Sequence, residues 1–352
     1  MLTFLFTSFI LCSRELRNLH VSEGADGDCF ASACSFDKAQ TILRNGDIVI
    51  FEDQKISVTS YPSPISDLLH TATFMNVTLL SKDDNTIFDG RFMAGESLFD
   101  VKSAARFTWL KIKGFTFTNF EKPVMMRIIS ETPWPLIIFK DCTFKENKQD
   151  IFNLKGGTFQ FDNCVFKQNL HRPIKAVTEA IVDIADCTFE HSESMFFFDC
   201  DISIKNSRFV ECFGGRGGSL YLSKVTLNVD GCKFIRNKAK NNGGAIYIRE
   251  SIEDYQCEIR RSAFVDNSAG VNGTAIYGYW ADVIIRDNCF SDEESKAIFE
   301  FKSQNKKSGN EFKSKCTSLL TYEPKTDDFD PVRANPDYDI DIDVGTNSWI
   351  EL

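Results

Sequence analysis

A short pattern rewritten along most of this chain constrains its fold more than any other feature. Aligned on one phenylalanine, it reads apolar-x-apolar-x-(Asp/Asn/Gly)-(Cys/Ser)-x-Phe. Clear copies are Ile137-Phe139-Asp141-Cys142-Phe144, Phe159-Phe161-Asn163-Cys164-Phe166, Val182-Ile184-Asp186-Cys187-Phe189, Ile202-Ile204-Asn206-Ser207-Phe209 and Leu227-Val229-Gly231-Cys232-Phe234. Flanking copies end on Phe117, Phe264 and Phe290, and weaker ones surround Ile48-Phe51, Leu79-Phe88 and Phe312. The phenylalanines recur at intervals of 20 to 30 residues. Alternation with period two inside each copy specifies strand, not helix. A spacing of about 25 is too short for a propeller blade, which takes about 40 residues. The leucine skeleton and helical half of a leucine-rich repeat are missing. What remains is an all-β chain in which each copy forms one coil of a right-handed parallel β-helix, a solenoid of about ten to twelve coils. A second apolar segment in each copy, such as Met195–Phe198, Leu220–Leu222 and Ile246–Ile248, supplies a further wall.

Parallel coils stack about 4.8 Å apart, so like positions become ladders. The repeat phenylalanines should stack inside, which accounts for 33 Phe in 352 residues. Each would contribute about 1.5–3 kcal/mol by burial. Asn147, Asn169, Asn237 and Asn267 lie three residues beyond their Phe. Asn tolerates left-handed backbone and bonds neighbouring peptide groups, so these four read as turn-forming, not catalytic.

The Phe-x-x-Asn copies, together with Gly243-Gly244-Ala245-Ile246 and its degenerate versions Gly217-Gly218-Ser219-Leu220 and Gly273-Thr274-Ala275-Ile276, resemble the FxxN/GGAI repeats of polymorphic outer membrane proteins. The resemblance covers about Leu110–Phe301. The N-terminal stretch with Cys29, Cys34, Ala39, Ile42 and Gly46–Ile50 is similar to the opening of secreted right-handed β-helix proteins, where a short amphipathic helix, here Phe36–Arg44, caps the first coil. The family implies a secreted or surface-displayed β-helix engaged in adhesion. Its best-known bacterial members also carry a C-terminal membrane barrel. These 352 residues leave no room for one, so outer-membrane insertion is not carried over.

The chain divides into an expected signal peptide (1–13), an N-terminal cap (14–47), the β-helix (48–322) and an acidic tail (323–352). Met1–Ser13 is a short apolar stretch ending in small residues, the layout of a secretory signal; a buried first strand is the alternative. Asn76 and Asn272 head glycosylation triplets that would matter in a eukaryotic secretory pathway. The tail holds nine acidic and two basic residues, and its carboxylates make calcium conceivable although no EF-hand pattern is present. A net charge of −10 with no Lys/Arg run argues against a nucleic-acid partner. No His/Cys spacing for a metal appears, and no cofactor is expected.

Cys29 and Cys34 bracket a loop and could form a disulfide in an oxidising compartment. Cys142, Cys164, Cys187 and Cys232 share one ladder position with Ser207 and Ser262; they read first as buried free thiols, with bridging between rungs as the alternative. Glycan-cleaving β-helices need acid–base groups facing one groove. Neither a Gly-His-Gly nor a Trp-x-Asp-His motif occurs. Asp199 and Asp201, two apart and expected on one side, with Arg216 on the next coil, are the weak catalytic candidates for a polysaccharide lyase or glycoside hydrolase. The preferred reading is a non-catalytic secreted or cell-surface protein binding an extracellular glycan or a host or cell-surface protein. Its surface would be the outward aromatics Phe197, Tyr221, Tyr247 and Tyr277. Such a row is either an interaction site or a ladder that only stabilises the stack.

Overall fold

The computed structural model describes residues 16–57, 75–91, 98, 108–121, 125–129, 136–251, 255–303, 306–313 and 316. The expected signal segment and acidic tail lie outside them. All pairings between named strands are parallel, and they form sheets of 17, 11 and 3 strands. The 11-stranded sheet is the wall that carries the repeat phenylalanines, one rung per coil, from Lys55–Ser57 to Glu311–Phe312. Pairing there is in register throughout: Phe144 faces Phe166, Phe189 faces Phe209, and Phe234 faces Phe264.

The phenylalanine stack runs unbroken from Phe88 to Phe312. Centroid separations fall to 4.6 Å for Phe166–Phe189, and ring planes agree within 3° for Phe189–Phe209. Strand spacing sets that distance, so the rings have no freedom to tilt edge-to-face along the ladder. Phe139, Phe152 and Phe161 supply the edge-on contacts from the other walls.

Among the described residues, three corners recur in the regular coils, most of them marked by a residue with positive φ. The first corner takes Asp141, Asn163, Asp186, Asn206 and Gly231, which explains the Asp/Asn/Gly of the repeat. The second takes Glu146, Gln168, His191, Glu211, Arg236 and Asp266, two residues beyond each Phe. The third lies within or at the end of the long strands and takes Asp199, Lys224, Glu250, Trp280 and Lys302.

A corner takes peptide N–H groups out of the sheet ladders, and buried ones must find another acceptor. The next coil provides it. Asn147 N–H donates to Asn169 Oδ1 (3.1 Å), and Asn237 N–H to Asn267 Oδ1 (2.9 Å). The same amides donate backwards, Asn237 Nδ2 to the Phe209 carbonyl at 3.0 Å and Asn267 Nδ2 to Phe234 at 2.9 Å. At the first corner, Cys187 N–H donates to Ser207 Oγ and Cys232 N–H to Ser262 Oγ, both 3.1 Å. Cys and Ser alternate there because each offers a small acceptor to the coil before.

The Gly-Gly turn has a different cause. Gly243 has φ +69°, and a Cβ on Gly244 would lie 2.0 Å from the Thr274 carbonyl oxygen of the next coil. The first coil is closed by the helix Phe36–Ile42, whose N-cap Ser35 accepts from Lys38 N–H and whose Phe36 ring lies 5.5 Å from Phe51. Cys29 and Cys34 are joined in a disulfide, and Cys289–Cys316 forms a second one beside the last coils.

The ladder predicts its own weak points. Phe234→Ala should cost about 3–5 kcal/mol through the cavity it leaves. Asn237→Ala should cost about 1–3 kcal/mol by orphaning buried peptide groups. Denaturant titration measures both, and losses within about 0.5 kcal/mol, as at a surface position, would contradict this packing.

Candidate functional site

The outward face of the wall preceding the third corner carries a continuous column of aromatic rings, Phe196, Tyr221, Tyr247, Tyr277 and Phe299, one per coil. In-register pairing puts them there. Ring centroids are 5.2–5.3 Å apart. Tyr221, Tyr247 and Tyr277 occupy the expected column, but Phe197 does not. It pairs with Leu222, points inward and is fully buried, while Phe196 takes the place opposite Tyr221. The three-phenylalanine run 196–198 hides which residue faces out; the register of the next coil decides it.

Stacking closes the ring faces against one another, so Tyr247 is only 5% exposed and Tyr277 8%. Phe196 is covered to the same degree, so the column reaches solvent mainly through half-buried Tyr221 and Phe299. Cations sit over or beside it: Arg172 over Phe196 (5.7 Å), Arg216 over Tyr247 (5.8 Å), and Arg249 Nη1 donating to Tyr221 Oη (3.4 Å). Burial pushes the Tyr247 phenol up to about 12 and raises that of Tyr277, so these two stay protonated at neutral pH.

The weak catalytic set does not assemble as its spacing suggested. Asp199 has φ +56°, and the corner it makes breaks the period-two alternation on which a shared side for Asp199 and Asp201 depended. Asp201 is on the wall beyond that corner, between inward Cys200 and Ile202. Asp199 accepts from Tyr255 Oη (3.3 Å), whereas Arg216 lies over Tyr247.

A polar cluster that the sequence reading missed stands at the start of the aromatic column. Asp150, Arg172 and Glu193 each lie two residues before the first residue of their wall strand, giving acid, base and acid on successive coils. Counted from the repeat phenylalanines Phe144, Phe166 and Phe189 they fall six, six and four residues on, so only alignment by strand start brings them together. Asp150 Oδ1 accepts from the Arg172 N–H (3.2 Å), and Glu193 lies 3.5 Å from His171 Nδ1 and 3.8 Å from Arg172 Nη2. Burial raises the Asp150 carboxyl, against the pull of Arg172, and burial lowers the Lys175 ammonium. Glu193 holds the His171 imidazole above its ordinary value despite partial burial.

The remaining sites are less open to chemistry. Burial lifts the thiols of Cys200, Cys212, Cys232 and Cys257 to about 12 and those of Cys142 and Cys164 well up, which leaves little thiolate for nucleophilic work. Asn76 lies in a strand, where its Oδ1 accepts from Trp109 N–H, and Asn272 sits half-buried in the turn above Asn242. Among the described residues no group of three or more His, Cys, Asp or Glu side chains is placed to hold a metal ion, and no helix is long and apolar enough to cross a membrane.

Fold and surface together define a right-handed parallel β-helix with an outward aromatic column. Residues 102–251 match the family model described as right handed beta helix region, a stretch that includes the best-formed repeats. No curated protein and no solved structure is matched by the chain.

The polar cluster makes stability depend on pH. His171 is raised in the folded protein, so its stabilising pairing is complete below its ordinary 6.5 and is lost as pH rises through the raised value. Ionising Asp150, also raised, disfavours the fold as pH climbs from its ordinary 3.8. Thermal melts should therefore show Tm falling between mildly acidic and mildly alkaline buffer, with a shallower fall in His171→Gln. An unchanged slope in that variant would remove His171 from the account.

Proposed function

We propose that this protein is a secreted or surface-displayed binding protein, non-catalytic, that engages an extracellular glycan or a cell-surface protein along the outward aromatic face. The observation that carries this reading is the uninterrupted column from Phe196 to Phe299, with phenolic groups on its three middle coils and arginines beside it. A regular row of donors matches a ligand that is itself extended and repetitive. Tyr is also a favoured contact residue, because it presents a large rigid surface with a polar tip. The FxxN and GGAI resemblance to polymorphic outer membrane proteins, whose best-known members act in adhesion, supports the same reading. So does the apolar segment Met1–Ser13 as an export signal, with Asn76 and Asn272 as acceptors for glycosylation along that route.

The stacked geometry dictates the test. Truncation to Ala would open the ladder and confuse binding with stability. The triple variant Tyr221→Phe, Tyr247→Phe, Tyr277→Phe keeps every ring and removes only the hydroxyls. Binding to a panel of acidic and neutral polysaccharides and to intact host cells should fall at least about tenfold, equivalent to about 1.4 kcal/mol, with Tm unchanged. Undiminished binding would show that the column is scaffold alone. Release of reducing or unsaturated sugar by the wild-type protein would replace the binding reading with an enzymatic one.

A further inference from the structure

We infer that Trp280, Tyr279, Phe301 and Lys302 form a stacking subsite for an anionic pyranose at one end of the aromatic face. The inference rests on the binding reading above and names the chemistry of its ligand. Tyr279 and Phe301 stand in register on adjacent coils, their rings 5.4 Å apart and within 1° of parallel. The Trp280 ring lies 6.2 Å from Tyr279 and 15° from its plane. Unlike the buried column beside it, this group is open: Trp280 and Phe301 are each 42% exposed.

Trp280 occupies the third corner with φ +51°. Other coils place Asp199, Lys224 and Glu250 at that corner, side chains that are smaller or more flexible. A bulky aromatic in left-handed backbone is strained, and exposure denies it the full compensation of burial. At 42% exposure Trp280 recovers only part of that cost inside the fold, which leaves its open part for a contact outside it. The open part of an indole is suited to the apolar C–H face of a pyranose ring.

Lys302 supplies the charge. Its ammonium lies 4.9 Å from the Trp280 centroid and 5.6 Å from Phe301, and no ion pair with a carboxylate engages it among the described residues. A cation held over the rings meets a carboxylate or sulfate carried by a sugar stacked on the same platform. The chain is acidic overall, with a net charge of −10, so an anionic glycan needs such a local cation to settle on it.

The experiment uses the full chain with three probes: an oligogalacturonate, a heparin-derived oligosaccharide and a neutral cello-oligosaccharide. Calorimetry gives affinity and intrinsic fluorescence reports the indole. The expected result is binding of the carboxylated or the sulfated probe in preference to the neutral one, with quenching. The two charged arms identify which anion is read. Trp280→Asn should lower that affinity at least tenfold and abolish quenching while Tm stays level or rises, because Asn is at ease in left-handed backbone. Lys302→Gln should erase the preference for charged probes. A Tm loss in Trp280→Asn with affinity retained makes Trp280 structural and overturns the inference, as does equal binding of the neutral probe. If Trp280→Asn binds normally but the triple Tyr→Phe variant does not, the subsite falls and the proposed function stands. If the wild-type chain binds no probe and no cell, both fall.

Discussion

Parallel, in-register backbone pairing between successive coils is the constraint from which the other features follow. It fixes the vertical distance between like positions, and so converts a sequence repeat into columns of identical chemistry. A column of phenylalanines fills the centre because flat rings match the rung spacing and leave no voids between them. The same spacing forces the outer tyrosines to stack, whether or not a ligand is present. The two columns differ in what lies against their edges: the inner rings meet further phenylalanines, the outer ones arginines.

The corners extract the main cost of such a coil. Each one needs a left-handed residue and removes peptide groups from the sheet. The chain meets both demands with ladders that are polar but buried: Asn147 and Asn169, Asn237 and Asn267, Ser207 and Ser262. Each member satisfies its neighbour's peptide, so the benefit of any one depends on the coil above or below it. Two-coil fragments would leave half of these groups unpaired, which is why a solenoid of this type gains stability by length.

The sequence was legible wherever period two held. The wall strands, the Phe ladder and the Cys/Ser position follow from alternation and spacing, whereas the cap helix was expected over Phe36–Arg44 from the resemblance to secreted β-helix openings and runs over Phe36–Ile42. It failed at the third corner, where the long strands Met195–Lys205 and Leu220–Asp230 pass through a left-handed residue with no glycine or proline to mark it. Counting by twos across that corner put Asp199 and Asp201 on one side. In Phe196-Phe197-Phe198 the residues are chemically identical, so only the partner coil, with Tyr221 opposite Phe196, assigns the outward ring. The charged column of Asp150, Arg172 and Glu193 needed alignment by strand start instead of by Phe. Cys289–Cys316 joins residues of which only the first falls on a recognisable repeat.

The position two residues before each wall strand shows how one structural demand also shapes the surface. It holds Asp150, Arg172 and Glu193, then Gly218 and Gly244, then Thr274 and Lys296. In the two middle coils the neighbouring turn packs its carbonyl where a Cβ would stand, 2.1 Å from the Gly218 position and 2.0 Å from the Gly244 position. Glycine is needed there for packing, yet it also strips the rim of side chains beside Tyr221 and Tyr247. Arg216, carried on that glycine-rich turn, reaches over the Tyr247 ring from an otherwise bare edge. The aromatic column is thus bordered by charge at its first coils and by backbone at its middle. A ligand lying along the coil axis would meet ion pairs first, then peptide groups and phenols, and at the far end the open indole of Trp280. That gradient gives the face a direction, which a repeat of identical coils would not have.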